Sequence, residues 1–171
     1  MTDVCPGYLW QSGYENGVYS TPLFADVEPR LRHWKAAAKT ISIYSSGSVF
    51  AQKLLFRHVA TGSTASTSTT SSNAEVSENK TVNLETLVSY WFDTTNAGMK
   101  MDKGSYEKIA TEMGRRAERV LFLSDNVKEV RAAREAGMRA LLVDRPGNAP
   151  VGEQDRRELG AVESLAEIGI R

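Results

Sequence analysis

Cysteine is nearly absent: Cys5 is the only one in the chain, which excludes an intramolecular disulfide framework and a zinc cluster built on thiolates. A reducing compartment fits that usage. Excess charge is missing too, since 21 Lys plus Arg balance 21 Asp plus Glu. No overall basic field exists to gather nucleic acid or anionic lipid. No apolar run is long enough to cross a membrane, and Met1 to Gly7 carries neither the cationic start nor the apolar stretch of a secretory signal. The expectation is a soluble intracellular protein with no nucleic-acid and no membrane partner. What is present is ordinary globular material: 171 residues, 41% hydrophobic and 25% charged, enough for one compact core.

The chain enters on an aromatic, loop-like stretch, Tyr8-Leu9-Trp10 and Tyr14, without a preceding strand or helix. From Asp26, apolar residues at Val27, Leu31, Trp34 and Ala38 fall at helical spacing and predict an amphipathic helix over Asp26–Ala38. Ile41 to Tyr44 reads as a short strand that ends in Ser45-Ser46-Gly47-Ser48, and a helix capped by Ser48 follows through His58. Ten of the thirteen residues from Thr61 to Asn73 are Ser or Thr, so a disordered insertion is expected at about residues 61–80. Leu84, Leu87 and Val88 suggest a helical turn, and Tyr90 to Asp93 a strand. A loop carrying Lys100 leads to a helix capped by Ser105, with Tyr106, Ile109, Ala110 and Met113 on one face. Val120 to Leu123 is a continuous apolar run of the kind that a parallel strand shows when both faces are covered. A helix from Val127 closes at Gly137, Ala140 to Val143 makes another strand, and Leu159, Val162, Leu165 and Ile168 mark a terminal helix. Strands alternating with helices point to an α/β parallel sheet.

In such a sheet ligands bind beyond the carboxyl ends of the strands, where the sequence places Ser45, Ser46, Lys100, Asp125 and Glu129. The inventory suits a phosphate: hydroxyls and N–H groups for its oxygens, a lysine for its charge, a carboxylate for Mg²⁺. Each piece also has a structural alternative. The Ser-Ser-Gly turn can simply start a helix, Lys100 can be a solvated charge, Asp125 a helix cap, and Glu129 an exposed first-turn acid that complements the dipole. His33 and His58 read as surface residues, and Trp10, Trp34 and Trp91 as packing residues.

Order along the chain adds information: strand then Ser, loop Lys before a helix, strand then Asp. That order resembles motifs two, three and four of the haloacid dehalogenase-like phosphatases. Phe24-Ala25-Asp26-Val27, Ile43-Tyr44-Ser45-Ser46-Gly47-Ser48-Val49, Ala51-Gln52-Lys53-Leu54-Leu55-Phe56, Phe92-Asp93-Thr94, Ser105-Tyr106, Leu121-Phe122-Leu123-Ser124-Asp125 and Arg145-Pro146-Gly147-Asn148 are similar to the enolase-phosphatases of methionine salvage, also called acireductone synthases. The resemblance implies a Rossmannoid parallel sheet with flanking helices, in which residues 22–171 form the core and residues 1–21 are a remnant of a helical cap. It implies that Ser45, Ser46 and Lys100 contact the substrate phosphate, that Asp125 ligates one Mg²⁺ per site, and that Glu129 is a supporting acid. The implied substrate is 2,3-diketo-5-methylthiopentyl-1-phosphate, enolised and then dephosphorylated to an acireductone, with a cytoplasmic and also nuclear location.

Two departures stand out. Ala38 occupies the position of a family glycine. The family's Asp-x-Glu-Gly-Thr, on a strand between the Ser-bearing and Asp-bearing strands, occurs nowhere in the sequence, so no catalytic nucleophile is assigned and the chain reads as an N-terminally truncated, inactive form. Three readings stay open: an incomplete copy of a working enzyme, a pseudoenzyme that binds phosphorylated ligands, and an interaction scaffold. A complete protein is expected to be monomeric, and this form to be open to self-association through a sheet edge.

Overall fold

The computed structural model describes residues 6–61 and 80–169. In chain order the elements are α1 (Pro6–Glu15), α2 (Val27–Ala36), β1 (Ser42–Tyr44), α3 (Val49–Arg57), β2 (Val59–Ala60), β3 (Thr81–Val82), β4 (Tyr90–Phe92), α4 (Lys103–Glu112), β5 (Leu121–Ser124), α5 (Val127–Glu135), β6 (Arg139–Val143), α6 (Glu153–Leu159) and β7 (Ala161–Val162). Two compact units divide the chain: Met1–Ile41 with Phe50–Ser89, and Ser42–Val49 with Tyr90–Arg171.

The first unit gathers Tyr14, Leu31, Ile41, Leu54, Val59, Leu84 and Val88 as its buried apolar residues. The stretch expected to be loop-like is helical from Pro6 to Glu15; proline is tolerated in a first turn, where its missing N–H costs nothing. Tyr14 is buried against the rings of Trp10, Tyr19 and His58 at 5.7, 5.8 and 5.7 Å. His58 is therefore a packing partner rather than the surface residue expected, whereas His33 is exposed. Helix α2 presents Leu31 inward and pairs Glu28 with Arg32 outward at 2.9 Å. Its cap residue is Asp26, without a side-chain cap bond, and the helix runs out at Ala36. Ala38 then takes φ 55, alone among the described non-glycine residues in the left-handed region. This is the position at which the resemblance expects glycine. Strands β2 and β3 form an antiparallel pair that sequence reading did not foresee. The Ser/Thr-rich segment lies outside the described residues except at Thr61 and Lys80, where the Thr61 N–H donates to the Lys80 carbonyl at 2.9 Å.

The second unit holds the parallel strands. β1 pairs with β4, Ile43 opposite Trp91, and β5, β6 and β7 form a three-stranded sheet, Leu123 opposite Leu141 and Val143 opposite Val162. Both pieces pack on one apolar cluster that includes Phe92, Tyr106, Ile109, Val130, Ala133, Leu142 and Leu159, with Tyr44 and Phe122 against it. β1 and β5 belong to separate sheets, so among the described residues each keeps one edge without a strand. Among the described residues these two strands do not pair with each other. For the same reason β5 departs from the expectation of burial on both faces. Leu121 is 36% exposed and Phe122 and Leu123 are half-buried, while in β6, with strands on both sides, Ala140 and Leu142 are buried.

Helix α4 buries the predicted face, Tyr106, Ile109 and Ala110, with Met113 at its end. Its cap, however, is Asp102, which accepts from the Gly104 N–H at 2.9 Å; Ser105 lies inside the first turn, buried, and donates to the Met99 carbonyl. Gly137 (φ 84) follows α5 as expected, in the left-handed conformation that glycine adopts without Cβ strain. The predicted terminal helix is instead α6, β7 and a short 3₁₀ turn, Leu165–Glu167. Gly160 ends α6, and Ala161–Val162 gains a backbone ladder with β6 that a continued helix would forgo.

Candidate active site

The site lies at the carboxyl ends of β1 and β5, within the second unit. Beyond β1, the Ser45 Oγ accepts from the Gly47 N–H at 3.1 Å and the Ser45 N–H donates to the Phe92 carbonyl at 3.0 Å. These bonds turn the chain sharply and leave Ser46, Gly47 and Ser48 exposed in front of α3. Hydroxyls and N–H groups ahead of a helix start are suited to oxyanions.

Beyond β5, Glu129 is 7% exposed, not the solvated first-turn acid that its position suggests. Its Oε2 accepts from the Lys100 Nζ and from the Ser124 Oγ, both at 2.8 Å. Lys100 is thereby a held, half-buried cation rather than a loose surface charge. Its ammonium sits 5.6 Å from the centre of the Tyr44 ring, a cation–π distance. The loop that presents it is fixed by two phenols: the Tyr44 hydroxyl donates to the Gly98 carbonyl and the Tyr106 hydroxyl to the Lys100 carbonyl, each at 2.6 Å. Burial is the main cause that lifts both phenols above their ordinary pKa, so they remain donors. Gly98 has φ 115, and a Cβ there would meet the Ser105 Oγ at 2.6 Å, so only glycine lets this loop pass.

Tyr44, one residue before Ser45, is thus the link between the two groups: its hydroxyl holds the lysine loop and its ring faces the ammonium. Asp125 is exposed at the end of β5 and lines a cavity of about 240 Å³ with Asn126, Val127, Ala149, Pro150 and Val151. It is not the cap of α5. That role belongs to Asn126, whose Oδ1 accepts from the Lys128 N–H at 2.9 Å.

Among the described residues no group of three or more His, Cys, Asp and Glu side chains converges on a point that could hold a metal. Asp125 offers one free-facing carboxylate, whereas the Glu129 carboxylate is taken by Lys100 and Ser124. A single carboxylate fits Mg²⁺ only as part of a shell completed by phosphate oxygens and water, an arrangement that this ion commonly takes.

Aligned over 166 residues, the chain is 49% identical to enolase-phosphatase E1 of Sordaria macrospora, a match covering 95% of this chain. The chain is a homologue of the enolase-phosphatases. It spans 63% of the length of that relative. Among solved structures it superposes on the UTR4 protein of Saccharomyces cerevisiae with a TM-score of 0.78 and 35% identity, covering 95% of this chain and 64% of the yeast protein. A HAD family hydrolase from Deinococcus radiodurans R1, with bound phosphate and sodium, superposes at a TM-score of 0.57 and 20% identity over 81% of this chain and 52% of its own. The homologue's fold is therefore that of the haloacid dehalogenase-like hydrolases. No family profile matches the chain.

Of the residues assigned by resemblance, the structure joins Lys100 and Glu129 directly, and places Ser45, Ser46 and Asp125 at the same strand ends. Sequence reading gave no role to Ser124, Tyr106, Tyr44 or Asp93. All four sit inside the resembling motifs, next to or among the residues that were assigned. That adjacency was the available signal.

Proposed function

We propose that this enolase-phosphatase homologue carries the phosphate-receiving part of a site for 2,3-diketo-5-methylthiopentyl-1-phosphate, the substrate converted in methionine salvage to 1,2-dihydroxy-3-keto-5-methylthiopentene and phosphate. Ser45 and Ser46 take phosphate oxygens and Lys100 neutralises them. Asp125 holds a Mg²⁺ ion, which when bound supplies a positive charge to the phosphoryl oxygens. Glu129 orients the lysine: it occupies one N–H of the ammonium and leaves the others to the ligand. The observation that carries this reading is the half-buried Lys100 held by the buried Glu129, with Ser124, beside Asp125, because a lysine so anchored is a preorganised anion partner.

The Asp-x-Glu-Gly-Thr motif is absent from the 171 residues, and loss of a covalent nucleophile removes the reaction path itself. The chain alone is therefore a binder that does not turn over. Phosphate release from the diketone phosphate by the purified chain, at a rate on the order of 1 per second, would overturn this. Residues 1–21 are read as part of a cap, and the cytoplasm, with the nucleus, as the location; among the described residues no helix is long and apolar enough to cross a membrane. A second reading, an interaction scaffold, is favoured by the edges of β1 and β5 that carry no strand among the described residues, since such edges template pairing with another chain or a second copy. A strictly monomeric chain at high concentration counts against it.

A further inference from the structure

Asp93 belongs to no role assigned above, yet it is 8% exposed and closes a network at the end of β4. Its Oδ1 accepts from the N–H groups of Thr95 and Asn96, both at 2.9 Å, while its Oδ2 accepts from the N–H of Val49 at 3.0 Å. Its own N–H donates to the Asn96 side-chain carbonyl at 2.8 Å, and the Asn96 amide donates to the Trp91 carbonyl. These donors, Asn96 first and Val49 next, hold the carboxyl below the usual range, so it is ionised at neutral pH. One oxygen thus builds a turn on β4 and the other reaches 44 residues back to the first residue of α3.

Val49 is the residue where the exposed Ser45–Ser48 turn ends and α3 begins. The turn is held at its start by the Ser45 N–H to Phe92 carbonyl bond and at its end by Asp93, and Phe92 and Asp93 are consecutive. Asp93 thus supplies the tie at the α3 end of the turn that presents Ser46, Gly47 and Ser48, opposite the Phe92 tie at its start.

We propose that Asp93 is a positioning residue that locks the Ser45–Val49 turn in its anion-receiving geometry. The proposal rests on the phosphate-binding reading of that turn. A carboxylate near an anion site also repels the anion, so the two possible roles of Asp93 differ in sign. If it acted only through its charge, neutralising it would tighten phosphate binding; acting as a tie, its loss weakens binding.

The Asp93→Asn substitution separates these roles, because the amide oxygen keeps the two bonds of the turn while an NH₂ replaces the acceptor facing Val49. Inorganic phosphate is titrated against the full chain and followed by amide chemical shifts, with native-state hydrogen exchange of the Val49 amide read in the same samples. The expected result for D93N is a loss of affinity of about tenfold, as for a lost charged hydrogen bond, with faster exchange at Val49 and a melting temperature close to the native one. Val49→Pro supplies a second route, since it removes the donor at a helix position that tolerates proline; it is expected to weaken phosphate similarly and to abolish the further effect of D93N. Unchanged or tighter phosphate binding by D93N overturns the proposal. If the native chain takes up no phosphate, the functional reading falls by itself, and the tie is then decided by exchange: unaccelerated Val49 exchange in D93N overturns it and acceleration supports it.

Discussion

Replacing Lys100 by Met removes the ammonium while keeping an unbranched apolar stem against the Tyr44 ring. The native pair has side chains 23% and 10% exposed for Lys100 and Glu129. Stripping one partner from a fully buried ion pair costs about 3–5 kcal/mol. Here Ser124 still donates to Glu129 and the lysine end of the pair admits water, so the cost falls to about 2 kcal/mol. For a chain of this length, that is a drop of about 4–8 °C in melting temperature. Glu129→Gln costs less, about 1 kcal/mol, because the uncompensated lysine can turn its head to solvent. The double variant should recover part of the Lys100→Met loss, since a neutral amide needs no counter-charge. Urea denaturation of the four proteins closes the cycle, and hydrogen exchange along β5 and α5 checks that the loss is local to the second unit. A K100M chain within about 0.5 kcal/mol of native, with no coupling to E129Q, would mean that water already screens the pair and that Lys100 is not preorganised.

Ala38→Gly should stabilise the chain by about 1 kcal/mol, because a left-handed alanine is strained and glycine is not, less the entropy that glycine loses on folding; thermal unfolding reads it. The Arg57–Glu85 ion pair in the first unit, with bonds of 2.5 and 3.2 Å, gives a pH signature. The Arg57 hydrogen bond lowers the Glu85 pKa, so its contribution is fully present above the unfolded value, about 4.3, and is lost as pH falls through the lowered folded value. The stability gap between native and Glu85→Gln should therefore close on acidification in that window, and a gap that is constant with pH would contradict the assignment.

The parts of the fold legible in sequence were those set by short-range pattern. The spacing of Tyr106, Ile109 and Ala110 found the buried face of α4, and Gly137 marked the end of α5. What escaped depended on distant partners. β2, β3 and β7 are each two residues long, too short for periodicity to show, and exist because a neighbour completes their hydrogen bonds. The half-burial of β5 is likewise invisible in the run Val120–Leu123, which is apolar enough for a central strand whether or not a strand lies beside it. At the site, placement beyond the strand ends singled out Ser45, Ser46, Lys100, Asp125 and Glu129, and resemblance supplied their roles. The dependence of Lys100 on Glu129 and Ser124, and of the Ser45–Val49 turn on Asp93, spans 29 and 44 residues, separations at which a single sequence carries no signal of contact.

The central claim, that a phosphate-receiving site is formed by this chain without the Asp-x-Glu-Gly-Thr motif, is tested most directly by titrating the purified chain with inorganic phosphate and Mg²⁺ and following backbone amide shifts. Saturable shifts confined to residues 45–49, 98–100 and 124–126, lost in Lys100→Met, are the expected result. Absence of saturable shifts there, or equal binding by the lysine variant, would contradict it.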